Sequence, residues 1–447
     1  MVFEQPTNAT RMESGIKNTN KMENNKEIQL DILDINSSGS GTAKIDGLVC
    51  FVPFCIDGER VIAKVEKQHK NFCMAKLESV VCASKDRVEP KCKYFGICGG
   101  CDFQHINYQK QLETKTQIIK SVLNKAKVKF QKLEPTVPSE KIFAYRNKIN
   151  FNIVQNKLCF FDQENMPLFV DFCPLFCDDK LKDIIFCVNK FLQNTNQNFK
   201  ALHLRALENQ YNFCFVSNEK TSCNFDALAK DLENLCSKFS ICTSVNKVKN
   251  SSNISSIVKA VVGDGKICVD KDLKFCVSPQ SFLQTNTQMQ NKIYDVIANK
   301  ILPKQTVINA YGGAGLLSAI LAKKSKFVYS VEISLSATKD CQKLFLENDI
   351  KNAEAICGDC KDVVPSLASQ NVDTIVFDPA RAGVDQQILK AVIKSKIQNI
   401  IYLSCNPQTF VRDAKFLEQS YNLKSVTPFD MFPQTKHIET LAVFEKK

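Results

Sequence analysis

Cys405 closes the apolar run Ile400-Ile401-Tyr402-Leu403-Ser404 and stands just before Asn406-Pro407, which makes it a candidate nucleophile. The run reads as a buried strand and Pro407 as the opening of a helix, so the thiol is partly exposed under a helix N-terminus whose dipole favours thiolate. With 21 cysteines in 447 residues an inert core thiol is the default reading, and the neighbours must decide. Three carboxylates have matching positions. Glu332 ends a strand-like run seventeen residues after Gly315, Asp359 ends the next, and Asp378 the one after that. Carboxyl ends of parallel strands share one crevice, where open α/β sheets bind ligands. Taken singly, each carboxylate could equally be a helix N-cap.

Tyr311-Gly312-Gly313-Ala314-Gly315 lies between a strand and a helix, where absent side chains let a ligand reach the backbone amides. The third glycine of a dinucleotide fingerprint would fall at Ser318, which argues against a nicotinamide or flavin pyrophosphate. Glu332 is placed to accept hydrogen bonds from both ribose hydroxyls of an adenosine ligand. A second sulfur group is spaced C-x5-C-G-G-C at Cys92, Cys98 and Cys101, with Cys173 as the fourth candidate; four thiolates could hold zinc or a [4Fe-4S] cluster. At this cysteine frequency, Cys357-Gly358-Asp359-Cys360 is expected by chance.

The elements that position these groups follow from periodicity. From Asn291 onward the chain alternates strand-like and helix-like runs: TVINAY, LLSAILAKK, FVYSVEI, ATKDCQKLFLEN, AEAICGD, TIVFDPA, QQILKAVIKS and NIIYLSC. This predicts a Rossmann-like α/β domain with a parallel sheet covered on both faces. LKSVTPFD and IETLAVFE have no helix between them and should close the sheet as an antiparallel pair. Residues 106–128 read as a helix with Leu112, Ile119, Val122 and Leu123 on its apolar side, packing on that domain. Residues 140–276 read as mixed, mainly strand-forming sequence, and short alternating runs from Glu27 to Val88 suggest a small OB-like β-barrel. Residues 1–26 are polar and asparagine-rich and are expected to be a disordered tail.

The resulting division is a tail at 1–26, a barrel at 27–88, a mixed α+β central domain at 89–276 and the α/β domain at 277–447. A formal charge of +12, from 59 basic against 47 acidic residues, suits an anionic partner. No apolar run approaches the roughly 18 residues of a membrane span, and the first thirty residues show no signal-peptide core, so a monomer in reducing cytoplasm is expected.

Four strings in order resemble the RNA uracil-5-methyltransferases: Ser278-Pro279-Gln280-Ser281-Phe282-Leu283-Gln284-Thr285-Asn286-Thr287, Asp378-Pro379-Ala380-Arg381-Ala382-Gly383, Ser404-Cys405-Asn406-Pro407-Gln408-Thr409 through Arg412-Asp413, and Asp430-Met431-Phe432-Pro433-Gln434-Thr435-Lys436-His437-Ile438-Glu439-Thr440. The resemblance implies S-adenosylmethionine as methyl donor, Cys405 as the thiolate that adds to uridine C6, and Glu439 as the base that removes the C5 proton, with His437 as a competing base. It also implies cofactor contacts from Gln284, Tyr311, Gly313, Gly315, Glu332, Asp359 and Asp378, and an RNA contact from Arg381. The group Cys92, Cys98, Cys101 and Cys173 resembles the iron–sulfur motif of ribosomal-RNA members, which favours [4Fe-4S] over zinc and 23S rRNA as the target. The barrel resembles a TRAM domain, a small RNA-binding fold. The sequence departs from the family at Asn309, where aspartate is usual, at Gly312, where cysteine or serine is usual, and at Ala380, which replaces a proline. Other readings are a non-catalytic RNA-binding or ribosome assembly factor, methylation of tRNA uridine-54, and cytosine C5 as acceptor.

Overall fold

In the computed structural model, which describes residues 27–248, 251–255 and 257–447, the run Ile400–Leu403 forms the central strand its composition demands: all four side chains are buried. The polar segment 1–26 lies outside the described residues. Among these residues no helix is long and apolar enough to cross a membrane.

The described chain falls into two compact units. One comprises residues 27–34 and 40–84. Its sheet runs in the order Glu27–Asp31, Arg60–Gln68, Phe72–Cys82, Leu48–Pro53, Ser40–Ile45, with the two-residue strand Asp34–Ile35 at the edge. Alternating positions bury Val61, Ala63 and Val65 on one strand and Cys73 and Ala75 on its neighbour, giving one apolar face. Three register shifts between Arg60–Gln68 and Phe72–Cys82 curl the sheet, since each bulge bends and twists the strand that carries it.

The second unit, residues 35–39 and 85–447, is built on two larger sheets. The eight-stranded sheet runs Ala353–Cys357, Phe327–Glu332, Thr306–Ala310, Thr374–Phe377, Asn399–Ser404, Glu439–Lys446, Tyr421–Phe429, Phe130–Leu133. The first five are parallel, as the β/α alternation requires, and the pair Tyr421–Phe429 and Glu439–Lys446 is antiparallel. The outer strand Phe130–Leu133 comes from far upstream and pairs in parallel with Tyr421–Phe429. Helix Tyr108–Lys125 packs beside it, burying Ile118, Ile119, Val122 and Leu123 in the same core as Ile400, Tyr402 and Phe410. Strand Phe130–Leu133 therefore belongs to the eight-stranded sheet and helix Tyr108–Lys125 to the core beneath it, although both precede residue 277 in the chain.

Helix Cys360–Ala368, between the strand-like runs AEAICGD and TIVFDPA, goes beyond the sequence reading. Pro365 lies inside it and argues against a helix, but Asp359 caps the first turn and Val364 and Leu367 bury against the sheet, which outweighs the lost hydrogen bond.

The seven-stranded sheet Pro167–Phe169, Lys157–Phe161, Lys148–Val154, Phe199–Leu207, Gln210–Ser217, Lys238–Val245, Val258–Val262 buries one face against helices Leu181–Gln193 and Asp226–Glu233. The hairpin Ile267–Asp270 and Lys274–Val277 follows, with Cys268 and Cys276 joined as a disulfide across it; the other cysteines are free.

Candidate active site

The parallel strands deliver the predicted residues to one edge of the eight-stranded sheet. Strand Asn399–Ser404 ends one residue before Cys405, and its antiparallel neighbour Glu439–Lys446 pairs Thr440 with Ser404. Continuing that register by one step sets Cys405 opposite Glu439. Asp378 follows the adjoining parallel strand Thr374–Phe377.

The loop Asp378–Gly383 is tied to helix Pro407–Leu417. Asn406 Nδ2 and Thr409 Oγ1 donate to the Arg381 carbonyl, Arg412 Nη2 donates to that of Ala382, and Asp413 accepts from Val384 N and the Tyr402 hydroxyl. Gly383 (φ +79°) admits no side chain there, because a Cβ would stand 2.6 Å from both Arg412 Nη2 and Asp413 Oδ2. Asn406 also caps the helix by accepting from Gln408 N. The Asp-Pro-Ala-Arg-Ala-Gly and Ser-Cys-Asn-Pro strings thus form one braced turn under the thiol.

The electrostatics correct the expectation of a ready thiolate. Burial pushes the Cys405 thiol up to about 11, Glu439 and Asp378 push in the same direction, and Arg381 only partly opposes them. Desolvation exceeds the helix dipole, whose field is worth at most about 2 kcal/mol. Burial likewise lifts Asp378 to about 7 and, with Asp378 adding to it, holds Glu439 well above the usual carboxylate range. The free site is therefore a proton-rich cluster of a thiol and two carboxyls. A cationic sulfonium in the crevice would favour the ionised forms of all three.

His437 behaves differently. Burial and Arg381 push it down to about 4, its ring lies edge-on to Phe432, and it is not among the groups that perturb Cys405. Glu439, by contrast, shares its surroundings with Cys405 and Asp378. Tyr294, on helix Thr287–Ala298, was not singled out in the sequence; its buried phenol is raised by desolvation and by Asp378 and Glu439, so it faces the same cluster. Only its place just after the Gln284 string hinted at it.

Two more of the predicted carboxylates, Glu332 and Asp359, stand at the ends of the neighbouring parallel strands. Glu332 accepts from Gly313 N at 3.0 Å and Ser334 N at 2.7 Å, which fixes its carboxylate beside the glycine turn. Tyr311 (φ +65°), Gly313 (φ +56°) and Gly315 (φ +87°) make that turn. A Cβ on Gly315 would meet Cys341 Sγ at 2.2 Å, so glycine is obligatory there. Asp359 is the N-cap of helix Cys360–Ala368; it accepts from Lys361 N and pairs with Lys361 Nζ. Gln284 is buried, and its carbonyl accepts from Asn147 Nδ2 at 3.0 Å.

The departures from the family pattern fit together. Asn309 Nδ2 donates to Ser318 Oγ, which donates to Ser330 Oγ, and a Cβ on Gly312 would stand 2.2 Å from that same Ser330 hydroxyl. Asn309 supports the turn from inside the core.

The string Asp430–Glu439 is held by helix Tyr108–Lys125. Lys115 Nζ pairs with Asp430 at 2.5 Å, both side chains fully buried, and also donates to the Phe432 carbonyl. Gln111 and Gln434 exchange hydrogen bonds.

Cys92, Cys98, Cys101 and Cys173 line one cavity of about 240 Å³ with Tyr94, Phe95 and Phe172. Burial raises Cys98, Cys101 (to about 12) and Cys173, and the thiols of the group raise one another. Their sulfurs are not gathered on one centre: among the described residues no three His, Cys, Asp or Glu side chains form a ready metal site. The donors nonetheless suit a soft, thiolate-binding centre, being four sulfurs in a mainly apolar cavity whose one charged lining residue is Arg146.

Comparison with known proteins agrees with this geometry. The family described as tRNA (uracil-5-)-methyltransferase matches residues 107–447, and the TRAM domain matches residues 21–77. A protein described as an uncharacterized RNA methyltransferase of Caldanaerobacter subterraneus subsp. tengcongensis is 30% identical over 461 residues, covering 96% of this chain and 100% of the relative. Another, from Staphylococcus aureus, is 30% identical with 93% and 97% covered. Among solved structures, the tRNA (uracil-54, C5)-methyltransferase of Pyrococcus abyssi in complex with S-adenosyl-L-homocysteine superposes with a TM-score of 0.75 at 25% identity, covering 93% of this chain and all of that one. With the family match spanning most of its length, the chain belongs to the S-adenosylmethionine-dependent RNA uracil-5-methyltransferases.

Proposed function

We propose that the enzyme methylates C5 of a uridine in 23S rRNA through a covalent adduct at Cys405. Uracil C5 is a poor nucleophile. Thiolate addition at C6 turns the ring into an enolate whose C5 can take a methyl cation equivalent. S-adenosylmethionine, when bound, supplies that methyl group. Proton acceptance by Glu439 at C5 then allows the C6–sulfur bond to break and frees Cys405. Asp378 shares the proton load of the cluster, and Arg381 favours the thiolate. Gln284, Tyr311, Gly313, Gly315, Glu332, Asp359 and Asp378 would hold the methyl donor. The target base must leave its stack to reach the thiol, so a structured RNA loop suits the site.

The observation that carries the mechanism is the strand register that sets Cys405 opposite Glu439. RNA containing 5-fluorouridine tests it, because fluorine cannot leave C5 as a proton does. A cofactor-dependent protein–RNA conjugate should accumulate in the wild type, vanish in Cys405→Ala, and form on ordinary RNA in Glu439→Gln. Efficient methylation by Cys405→Ala would refute the mechanism.

The choice of 23S rRNA rests on the four-cysteine cavity and its resemblance to the ribosomal-RNA members. In this reading Cys92, Cys98, Cys101 and Cys173 hold a [4Fe-4S] cluster with a structural or RNA-positioning role, since methyl transfer needs no electrons. An anaerobic preparation should be brown and absorb near about 400 nm; a colourless protein containing zinc would overturn the assignment. The Pyrococcus abyssi neighbour, a tRNA uracil-54 enzyme, favours a second reading in which tRNA is the target. Mapping 5-methyluridine in 23S rRNA and tRNA from a deletion strain separates the two. We further propose that the enzyme works as a cytoplasmic monomer.

A further inference from the structure

We infer that Asp340 is a positioning residue for the methyl donor: with Arg205 it clamps the turn Ser278–Ser281, from which Gln284 is presented to the cofactor crevice. This rests on the reading that Gln284 touches the cofactor.

Asp340 lies on helix Leu335–Glu347 with its side chain 1% exposed. Its carboxylate accepts from Ser278 N at 3.0 Å, Ser278 Oγ at 3.0 Å, Ser281 Oγ at 2.6 Å and Lys266 Nζ at 2.8 Å. Three of these four donors belong to one four-residue turn, itself closed by Ser281 N donating to the Ser278 carbonyl. From the other side comes Arg205, on strand Phe199–Leu207 of the seven-stranded sheet. Its guanidinium is buried and donates to the Ser281 carbonyl at 3.0 Å and, more weakly, to that of Ser278 at 3.4 Å.

A buried carboxylate and a buried guanidinium thus hold opposite faces of one turn. Each neutralises the other's charge across it, and the turn satisfies their hydrogen-bonding capacity. Three residues beyond the turn stands Gln284. The helix that carries Asp340 begins just after Glu332, and Thr338 Oγ1 on that helix approaches the Glu332 carbonyl at 3.3 Å. Asp340 therefore ties together the segments bearing two cofactor candidates, Gln284 and Glu332, which lie far apart in the chain. A carboxylate that served only to join two modules would not need its donors concentrated on this turn.

The test is calorimetric binding of S-adenosylhomocysteine to the full chain without RNA, well below the thermal midpoint. Asp340→Asn keeps the size but points an amide at donors that need an acceptor, and should weaken binding about tenfold or more, roughly 1.4 kcal/mol. Ser281→Ala, which leaves Asp340 charged with its other donors, should weaken it two- to fivefold, on the order of half that energy. Lys266→Met removes only the half-exposed partner and should stay within about twofold. Val392→Ala, a core truncation on helix Gln386–Lys394, controls for stability alone: it should lower the midpoint and leave binding unchanged. Should Asp340→Asn fail to fold, Ser281→Ala decides. Wild-type affinity in Asp340→Asn and Ser281→Ala, alongside weakened Gln284→Ala, overturns the clamp. Wild-type affinity in Gln284→Ala overturns the cofactor role of Gln284 instead, and the reason for the clamp with it.

Discussion

The molecule has two sulfur sites, and they differ in what surrounds the sulfur. Cys405 sits with Glu439 and Asp378 beside it and Arg381 near, so once the carboxyls are ionised a proton leaving the thiol has acceptors within the site. Cys92, Cys98, Cys101 and Cys173 line their cavity with apolar and aromatic side chains, the Gln104 amide and Arg146, and with no carboxylate. Burial raises thiols in both places. In the first, carboxyl groups beside the thiol can exchange its proton during a turnover; in the second, Arg146 is the one charged residue on the wall and no carboxylate lines it, so the thiols are placed to be ligands. A thiol's neighbours, more than its exposure, separate a nucleophile from a ligand.

The sharpest way to break that contrast is to exchange the roles. Cys405→Ala should lower methylation by on the order of 10⁴-fold or more while leaving RNA binding and any iron content unchanged; a residual rate within tenfold of wild type would place the chemistry elsewhere. Next comes the cost of the acid cluster. A carboxyl held above its ordinary value binds its proton more tightly in the folded chain, so the penalty of Asp378 is absent below pH 3.8 and complete above about 7. Asp378→Asn should accordingly stabilise the free protein at pH 8, by at most about 4 kcal/mol, and hardly at all at pH 4, while weakening S-adenosylhomocysteine binding. Equal thermal midpoints for variant and wild type at both pH values would remove the premise. A third effect is kinetic. With the thiol at about 11 and Asp378 at about 7, both ionised forms grow as pH rises. The single-turnover rate should climb up to about tenfold per pH unit between roughly pH 6 and pH 9, and a peak near 7 would show that RNA binding has already discharged the thiol. The smallest effect on rate belongs to the other sulfur site: if it holds the proposed iron–sulfur cluster in a structural role, Cys101→Ser should abolish the chromophore yet slow methylation by less than about tenfold. A loss as large as that of Cys405→Ala would join the two sites functionally.

The parts of the fold that were legible are those with local periodicity. Runs such as Thr306–Ala310 and Asn399–Ser404 are apolar throughout because both faces of a parallel sheet are covered, and they appear as strands. Helix Cys360–Ala368 was hidden by Pro365, whose local preference is overridden by burial. Strand Phe130–Leu133 could not be placed, because its partner Tyr421–Phe429 lies nearly 300 residues away. The site divides the same way. Cys405, Glu332 and Asp378 stand out at strand ends, whereas Glu439 needed its surrounding string to be picked out at all. Tyr294, Asn147, Lys115 and Asp340 were not singled out: each acts through contacts across about 60 residues of chain or more, and no short-range pattern encodes that.

The eight-stranded sheet is assembled out of chain order, with Phe130–Leu133 at one margin waiting for Tyr421–Phe429 and Glu439–Lys446 to fill the gap beside Asn399–Ser404. On the ribosome, Cys405 is made 34 residues before Glu439. A nascent chain stalled between them would carry its nucleophile with no proton acceptor opposite and an unzipped seam through the middle of the domain. Completion of the hairpin is therefore the step that both closes the eight-stranded sheet and brings Glu439 to the edge that carries Cys405.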